Sequence, residues 1–255
     1  MTAPTLQSTA PASVNQESHV FIRDGFRWDE QGAYLFDIDG TLLRSRDRIH
    51  FESFYSSVRS VMGHELVLDG VTVSGNTDPG ILRDAFRLAQ LEDTDWQPHL
   101  ENVLQSMRRQ VAERRAEMKL VKMPGVDEAL AHLQGKGAAL GVATGNLEAI
   151  GWLKIEVIGL RHWFSFGGFS DNYDVRSDMI AHARRLAHRH AGPEATVCVV
   201  GDTPFDISAA RANGLPTIAV ATGNFSFDQL MEHEPEACAT TLEALLATGG
   251  GDTGA

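Results

Sequence analysis

Tyr34-Leu35-Phe36-Asp37-Ile38-Asp39-Gly40-Thr41-Leu42-Leu43 is an apolar run that stops at two carboxylates one residue apart, then a glycine and a hydroxyl. This is the pattern of a buried strand ending at a charged turn. Asp-Gly is an ordinary turn pair, which accounts for Asp39-Gly40 but leaves Asp37 unexplained. Two carboxylates beside an apolar core repel one another and are costly to bury, so a cation is expected near them. Mg²⁺, a hard ion preferring carboxylate and carbonyl oxygen, suits that need. A calcium loop of the EF-hand kind is excluded, because the glycine comes too early and a strand precedes the first Asp.

Downstream of Thr41 the pattern is helical for a long way. Phe51, Phe54, Tyr55, Val58, Val61 and Met62 keep helical spacing, and so do Leu82, Ala85, Phe86 and Ala89 after the start signal Thr77-Asp78-Pro79. A third helix follows from Leu100, Val103, Leu104, Met107, Val111 and Met118. A crossover between parallel strands needs only about a dozen residues, so most of this segment reads as an insertion. Residues 44–121 are therefore expected to form a small helical cap. The core is expected from residues 20–43 and 122–247, between disordered tails at 1–19 and 248–255. Residues 20–28 read as a small hairpin decorating an edge, around Asp24-Gly25.

From Pro124-Gly125 onward helices alternate with short apolar strands, predicted at 138–143, 164–166, 196–200, 216–221 and near Ala237. The fold class is therefore α/β, a doubly wound parallel sheet with helices on both faces. In such sheets ligands bind beyond the carboxyl ends of the strands. Asp37 and Asp39, Thr144-Gly145-Asn146, and Gly201-Asp202 with Asp206 all fall at such ends.

Composition narrows the function classes. With 255 residues, 43% of them hydrophobic, the chain can bury a full domain core. A net charge of −12 argues against a nucleic-acid surface. Cys198 and Cys238 both lie in apolar runs, which suits buried thiols in a reducing cytoplasm. No apolar run is long enough for a membrane span, and residues 1–19 lack the marks of a secretory signal. Oligomeric state is not readable.

Taken together, Asp37-Ile38-Asp39-Gly40-Thr41 and Gly201-Asp202-Thr203-Pro204-Phe205-Asp206 resemble the haloacid dehalogenase superfamily, in particular its helically capped, phosphoglycolate phosphatase-like members. The resemblance runs from Tyr34 to Leu246. It implies a Mg²⁺-dependent hydrolysis of a small phosphorylated metabolite, with Asp37 as nucleophile and Asp39 as acid and base. It implies metal ligation by Asp37, the Asp39 carbonyl and Asp202, with Asp206 holding the ion or its water. It also implies a phosphate site at Thr144, Gly145 and Asn146.

The superfamily's usual phosphate-binding Lys has no counterpart after Lys154, which lies within an expected helix. Arg176, just before an amphipathic helix, is the expected replacement, with a surface Arg as the alternative. Thr41, Thr77 and Asp78 are the expected substrate contacts, with simple helix capping the alternative for Thr77 and Asp78. Val142-Ala143-Thr144-Gly145-Asn146 recurs as Val220-Ala221-Thr222-Gly223-Asn224. The second copy reads as a strand exit, or else as further lining of the same crevice. His182, His188 and His190 lack the spacing of a helical zinc site and read as surface residues. An acid/base Asp39 argues against dehalogenation, and the lack of Lys between Thr41 and Met118 argues against phosphonate hydrolysis. A sugar phosphomutase and a non-catalytic phospho-ligand binder remain as alternatives.

Overall fold

The computed structural model describes residues 18–248, so the bulk of both expected tails lies outside the described residues. The elements in chain order are β1 (Val20–Ile22), β2 (Ala33–Phe36), β3 (Leu43–Ser45), α1 (Ile49–Met62), α2 (Asp78–Leu88) and α3 (Asp93–Glu113). They continue with β4 (Leu120–Lys122), α4 (Val126–Gly135), β5 (Ala139–Ala143), α5 (Glu148–Val157), β6 (Phe166–Gly168) and α6 (Arg176–Ala191). The last are β7 (Val197–Gly201), α7 (Pro204–Ala212), β8 (Thr217–Val220), α8 (Phe227–Met231), β9 (Ala237–Ala239) and α9 (Leu242–Leu246).

The main sheet has seven strands in the order β1-β9-β8-β7-β2-β5-β6. All neighbours pair in parallel except β1, which runs antiparallel to β9. The expected hairpin at 20–28 is thus corrected. Its first half joins the sheet edge, and after the turn at Gly25 the chain buries Trp28 in the core instead of forming a return strand.

β2 is buried along its whole length, as a central strand covered on both faces must be. Tyr34 and Phe36 point to one face with residues of α4 and α9, while Ala33 and Leu35 point to the other with residues of α6 and α7. The buried Tyr34 hydroxyl is satisfied, donating to the Trp28 carbonyl at 2.8 Å and accepting from the Gln31 amide at 3.0 Å. Because the strand order departs in opposite directions on either side of β2, the crevice opens where β2 ends.

The helices α1, α2 and α3 lie between β3 and β4, and those two strands form a separate antiparallel ribbon pairing Leu43 with Lys122 and Ser45 with Leu120. The ribbon was not foreseen in the sequence. The inserted helices share an apolar cluster that includes Phe54, Val58, Leu82, Phe86, Val103 and Met107, and it continues into Leu147 and Ile150 at α5. Thr77 caps α2, accepting from the Gly80 amide at 3.0 Å, with Pro79 in the first turn where its missing N–H is harmless. α3 begins at Asp93, earlier than its apolar spacing indicates, because Glu92 and Asp95 form a capping box there.

Candidate active site

Three parallel strands deliver the site. Asp37 follows β2, Thr144 follows β5, and Asp202 follows β7, with β2 in the middle and in register with both neighbours. The turn after Asp37 is closed by Leu42 and Leu43 amides donating to the Ile38 carbonyl. It also requires Gly40, at φ +90°, because a Cβ there would meet the Asp202 carboxylate at 2.3 Å. Thr41 is fully buried and donates to Asp202 Oδ1 at 3.0 Å, so it fixes that carboxylate in place.

Asp37, Asp202 and Asp206 are all buried, and each offers an oxygen within 4.8 Å of the others. One guanidinium faces them. Arg176 Nη2 lies 3.2 Å from Asp37 Oδ1 and 2.5 Å from Asp206 Oδ1, while Nη1 donates to the Gly75 carbonyl at 3.1 Å. Asp206 takes the Thr203 amide and hydroxyl on its other oxygen, at 3.0 and 2.7 Å. Burial pushes the Asp37 carboxyl up to about 6; Arg176 opposes that rise, and Asp206 and Asp39 add to it. Asp202 is raised well above the usual carboxylate range by burial, then by Asp37 and Asp206. Three crowded acids with one cation between them are a donor set in want of positive charge, and their hard oxygens fit a divalent ion such as Mg²⁺.

Beside this cluster is a cavity of about 320 Å³, lined by Asp37, Asp39, Thr144, Gly145, Asn146 and Arg176 among others. Burial alone would raise Asp39, but Lys154, His50 and Asn146 hold it below the usual range. Lys154 was passed over in the sequence because it lies inside α5. Its side chain is nonetheless buried and runs to the cavity, where Nζ sits 2.6 Å from Asp39 Oδ2. The available signal was its spacing, since a lone Lys on an otherwise apolar helix face needs an anion.

The inserted helices close over the cavity. The Asp78 amide donates to the Gly145 carbonyl at 2.8 Å, and Asp78 Oδ2 accepts from the Leu147 amide at 2.9 Å and approaches His50 Nε2 at 3.1 Å. Gly145 is obligatory here, because a Cβ would lie 2.1 Å from the Asn76 carbonyl oxygen. Thr77 is buried and bonded to Gly80 and to the Asp174 carbonyl, so capping and docking occupy it. Two expected substrate contacts, Thr41 and Thr77, therefore do not line the cavity, whereas Asp78 does. The second Thr-Gly-Asn copy is more than a strand exit. Thr222 bonds the Gly40 carbonyl, Gly223 lies against Asp202, and Asn224 bonds Ser74, with Gly223 and Asn224 lining the cavity. Outside the site, His182 lies against Tyr173 and His190 stacks on Phe166.

The chain is 32% identical over 123 residues to a phosphoglycolate phosphatase of Mesorhizobium japonicum, an alignment covering 48% of this chain and 53% of that one. It thus spans about half the length of this curated relative. A phosphoglycolate phosphatase of Agrobacterium fabrum aligns more fully, at 26% identity over 83% of this chain and 89% of that one. Among solved structures, a mutant CbbY of Rhodobacter sphaeroides in complex with xylulose-(1,5)bisphosphate superposes with a TM-score of 0.62 at 17% identity, covering 84% of this chain and 95% of the other. That likeness is one of fold. Residues 34–220 match the haloacid dehalogenase-like hydrolases, and with strand ends, carboxylates and inserted helices arranged as described, the chain belongs to that family.

Proposed function

We propose that this protein is a Mg²⁺-dependent phosphatase that hydrolyses a small phosphomonoester through an aspartyl-phosphate on Asp37. The observation carrying this reading is the buried Asp37 carboxylate at the cavity floor, with Arg176 on one oxygen and Asp202 and Asp206 beside it. An unprotonated carboxylate so placed can attack phosphorus in line. Its burial among like charges makes it a poorly solvated, reactive anion. Mg²⁺, held by Asp37, Asp202 and Asp206, would offset repulsion between nucleophile and phosphate. Arg176 supplies fixed positive charge from this chain itself, as a fork that can bridge carboxylate and phosphate. Thr144, with the backbone amide of Gly145, would bind the remaining phosphate oxygens. Asp39, on the open side of the cavity, would protonate the leaving alkoxide and then activate water.

Residues 44–121 act as a cap over the residues that do the chemistry, so that side chains such as Arg48, Phe51 and Asn76 meet the alcohol portion of the substrate. Phosphoglycolate is the first ester to try, given the activity named for two relatives. Among the described residues no helix is long and apolar enough to cross a membrane. The buried free thiols Cys198 and Cys238 fit a reducing cytoplasm.

The test is phosphate release from p-nitrophenyl phosphate and a panel of small monoesters, with Mg²⁺ or EDTA, for wild type and Asp37→Asn. Release that needs Mg²⁺ and falls at least about 10³-fold in the variant is the expected result, since the substitution removes the attacking carboxylate itself. Folded wild-type protein that turns over no ester would sink the reading.

A further inference from the structure

Lys154 is buried in α5, and its ammonium has three N–H donors. Each has an acceptor: Asp39 Oδ2 at 2.6 Å, Asn146 Oδ1 at 2.8 Å and His50 Nδ1 at 3.1 Å. An ammonium saturated by protein has nothing left for a substrate phosphate. The same three bonds instead fix what surrounds it. Asn146 is locked with its amide nitrogen toward Asp39 Oδ2, 2.9 Å away, and Thr144 Oγ1, 2.7 Å away. Asp39 Oδ2 thereby receives two donors from one side, while Oδ1 takes no hydrogen bond from the described residues. A carboxylate pinned by one oxygen presents the other in a set direction.

We propose that Lys154 is the positioning residue that aims Asp39 Oδ1 at the water which hydrolyses the phosphorylated enzyme, and that the inserted helices complete its setting through His50. This rests on the phosphatase reading above. In that half-reaction the water oxygen bonds to phosphorus and the bond from phosphorus to Asp37 breaks, its electron pair returning to the Asp37 carboxylate. The water proton passes to Asp39 Oδ1. His50 belongs to α1 and donates through Nε2 to Asp78 of α2, which leaves Nδ1 as the acceptor for Lys154. Docking of the insertion against the core therefore supplies one of the three ties on the ammonium.

The distinguishing measurement is the pre-steady-state release of nitrophenolate from p-nitrophenyl phosphate with Mg²⁺, because nitrophenolate departs without needing a proton. In Lys154→Met, phosphorylation of Asp37 keeps its rate while hydrolysis slows. The burst then rises toward one nitrophenolate per chain, and the steady rate falls about 10²-fold. His50→Phe removes one acceptor and gives the same pattern with a loss of about tenfold. A steady rate lost together with the burst rate, or unchanged, in either folded variant overturns the proposal. Should Lys154→Met fail to fold by circular dichroism, His50→Phe carries the test alone. Wild-type protein with no turnover would instead overturn the phosphatase reading on which this one stands.

Discussion

Arg176 shows how much one side chain carries. On the proposed reading it takes the place of a phosphate-binding lysine, and its fork lets a single charge serve Asp37, Asp206 and the Gly75 carbonyl at once. Its raised pKa reflects Asp206 and then Asp37 outweighing the burial that opposes them. Arg176→Met leaves buried carboxylates with no cation. Removing one partner of a buried pair destabilises by about 3–5 kcal/mol, so urea denaturation in EDTA should show a loss of that order. A loss below about 1 kcal/mol would mean that the carboxylates relax by taking up protons or water. The residue could be nominated from sequence because it stands between a strand and an amphipathic helix. Its simultaneous hold on two carboxylates and the insertion could not, since that depends on the closeness of loops far apart in the chain.

Among the elements, the strand ends were the most readable part. An apolar run followed by an acid and a glycine marks β2 and β7 directly, because a strand buried on both faces must be apolar throughout and can turn polar only where it stops. Short elements were harder. β3 and β4 have three residues each and no alternation, and β1 looked like half a hairpin because its partner, β9, lies more than two hundred residues away. The repeated Thr-Gly-Asn loop was ambiguous for a related reason: both copies follow parallel strands, and only the sheet order shows that both reach the crevice. Gly223 has a sharp requirement. A Cβ there would lie 1.7 Å from Asp202 Oδ2, so Gly223→Ala must displace Asp202 or the loop. The expected result is a Mg²⁺ requirement raised about tenfold or more, read from phosphate release against Mg²⁺ concentration, with melting temperature in EDTA little changed. An unaltered Mg²⁺ dependence would show that the second loop can move without disturbing Asp202.

At the scale of the whole molecule, the acid cluster ties stability to pH and, on the proposed reading, to metal. The Asp37 carboxyl is raised to about 6 from an ordinary 3.8, so the folded state binds its proton more tightly than the unfolded chain does. That contribution is fully present below the unfolded value and is lost as pH rises through the folded one. Asp202 shifts in the same direction. Asp39 shifts the other way, so its contribution is lost only as pH falls below the ordinary carboxylate value. Without metal, the protein should therefore lose stability between about pH 4 and pH 7 from this cluster. On the proposed reading Mg²⁺ would bind the ionised carboxylates and reverse the loss, by about 2.7 kcal/mol at a hundredfold excess over its Kd. Calorimetry should show a larger Mg²⁺-induced rise in Tm near pH 7.5 than near pH 5. An equal or smaller rise at the higher pH would contradict the assignment of the cluster to the ion.

The ribbon of β3 and β4 has a consequence for how such a protein can change over time. The chain passes into the insertion at Leu43 and out of it at Lys122, residues paired side by side in the ribbon, so the whole length between them starts and ends at one place beside the core. Another sequence of different size could be spliced in at those two points without moving a strand of the main sheet. Here the three helices so carried also bring His50 to Lys154 and Asp78 to the amide of Leu147. A transplanted insertion would thus need more than a fitting outline. It would have to bring its own acceptor for the buried ammonium, so on the proposed reading recombination would exchange a choice of substrate and part of the catalytic alignment together.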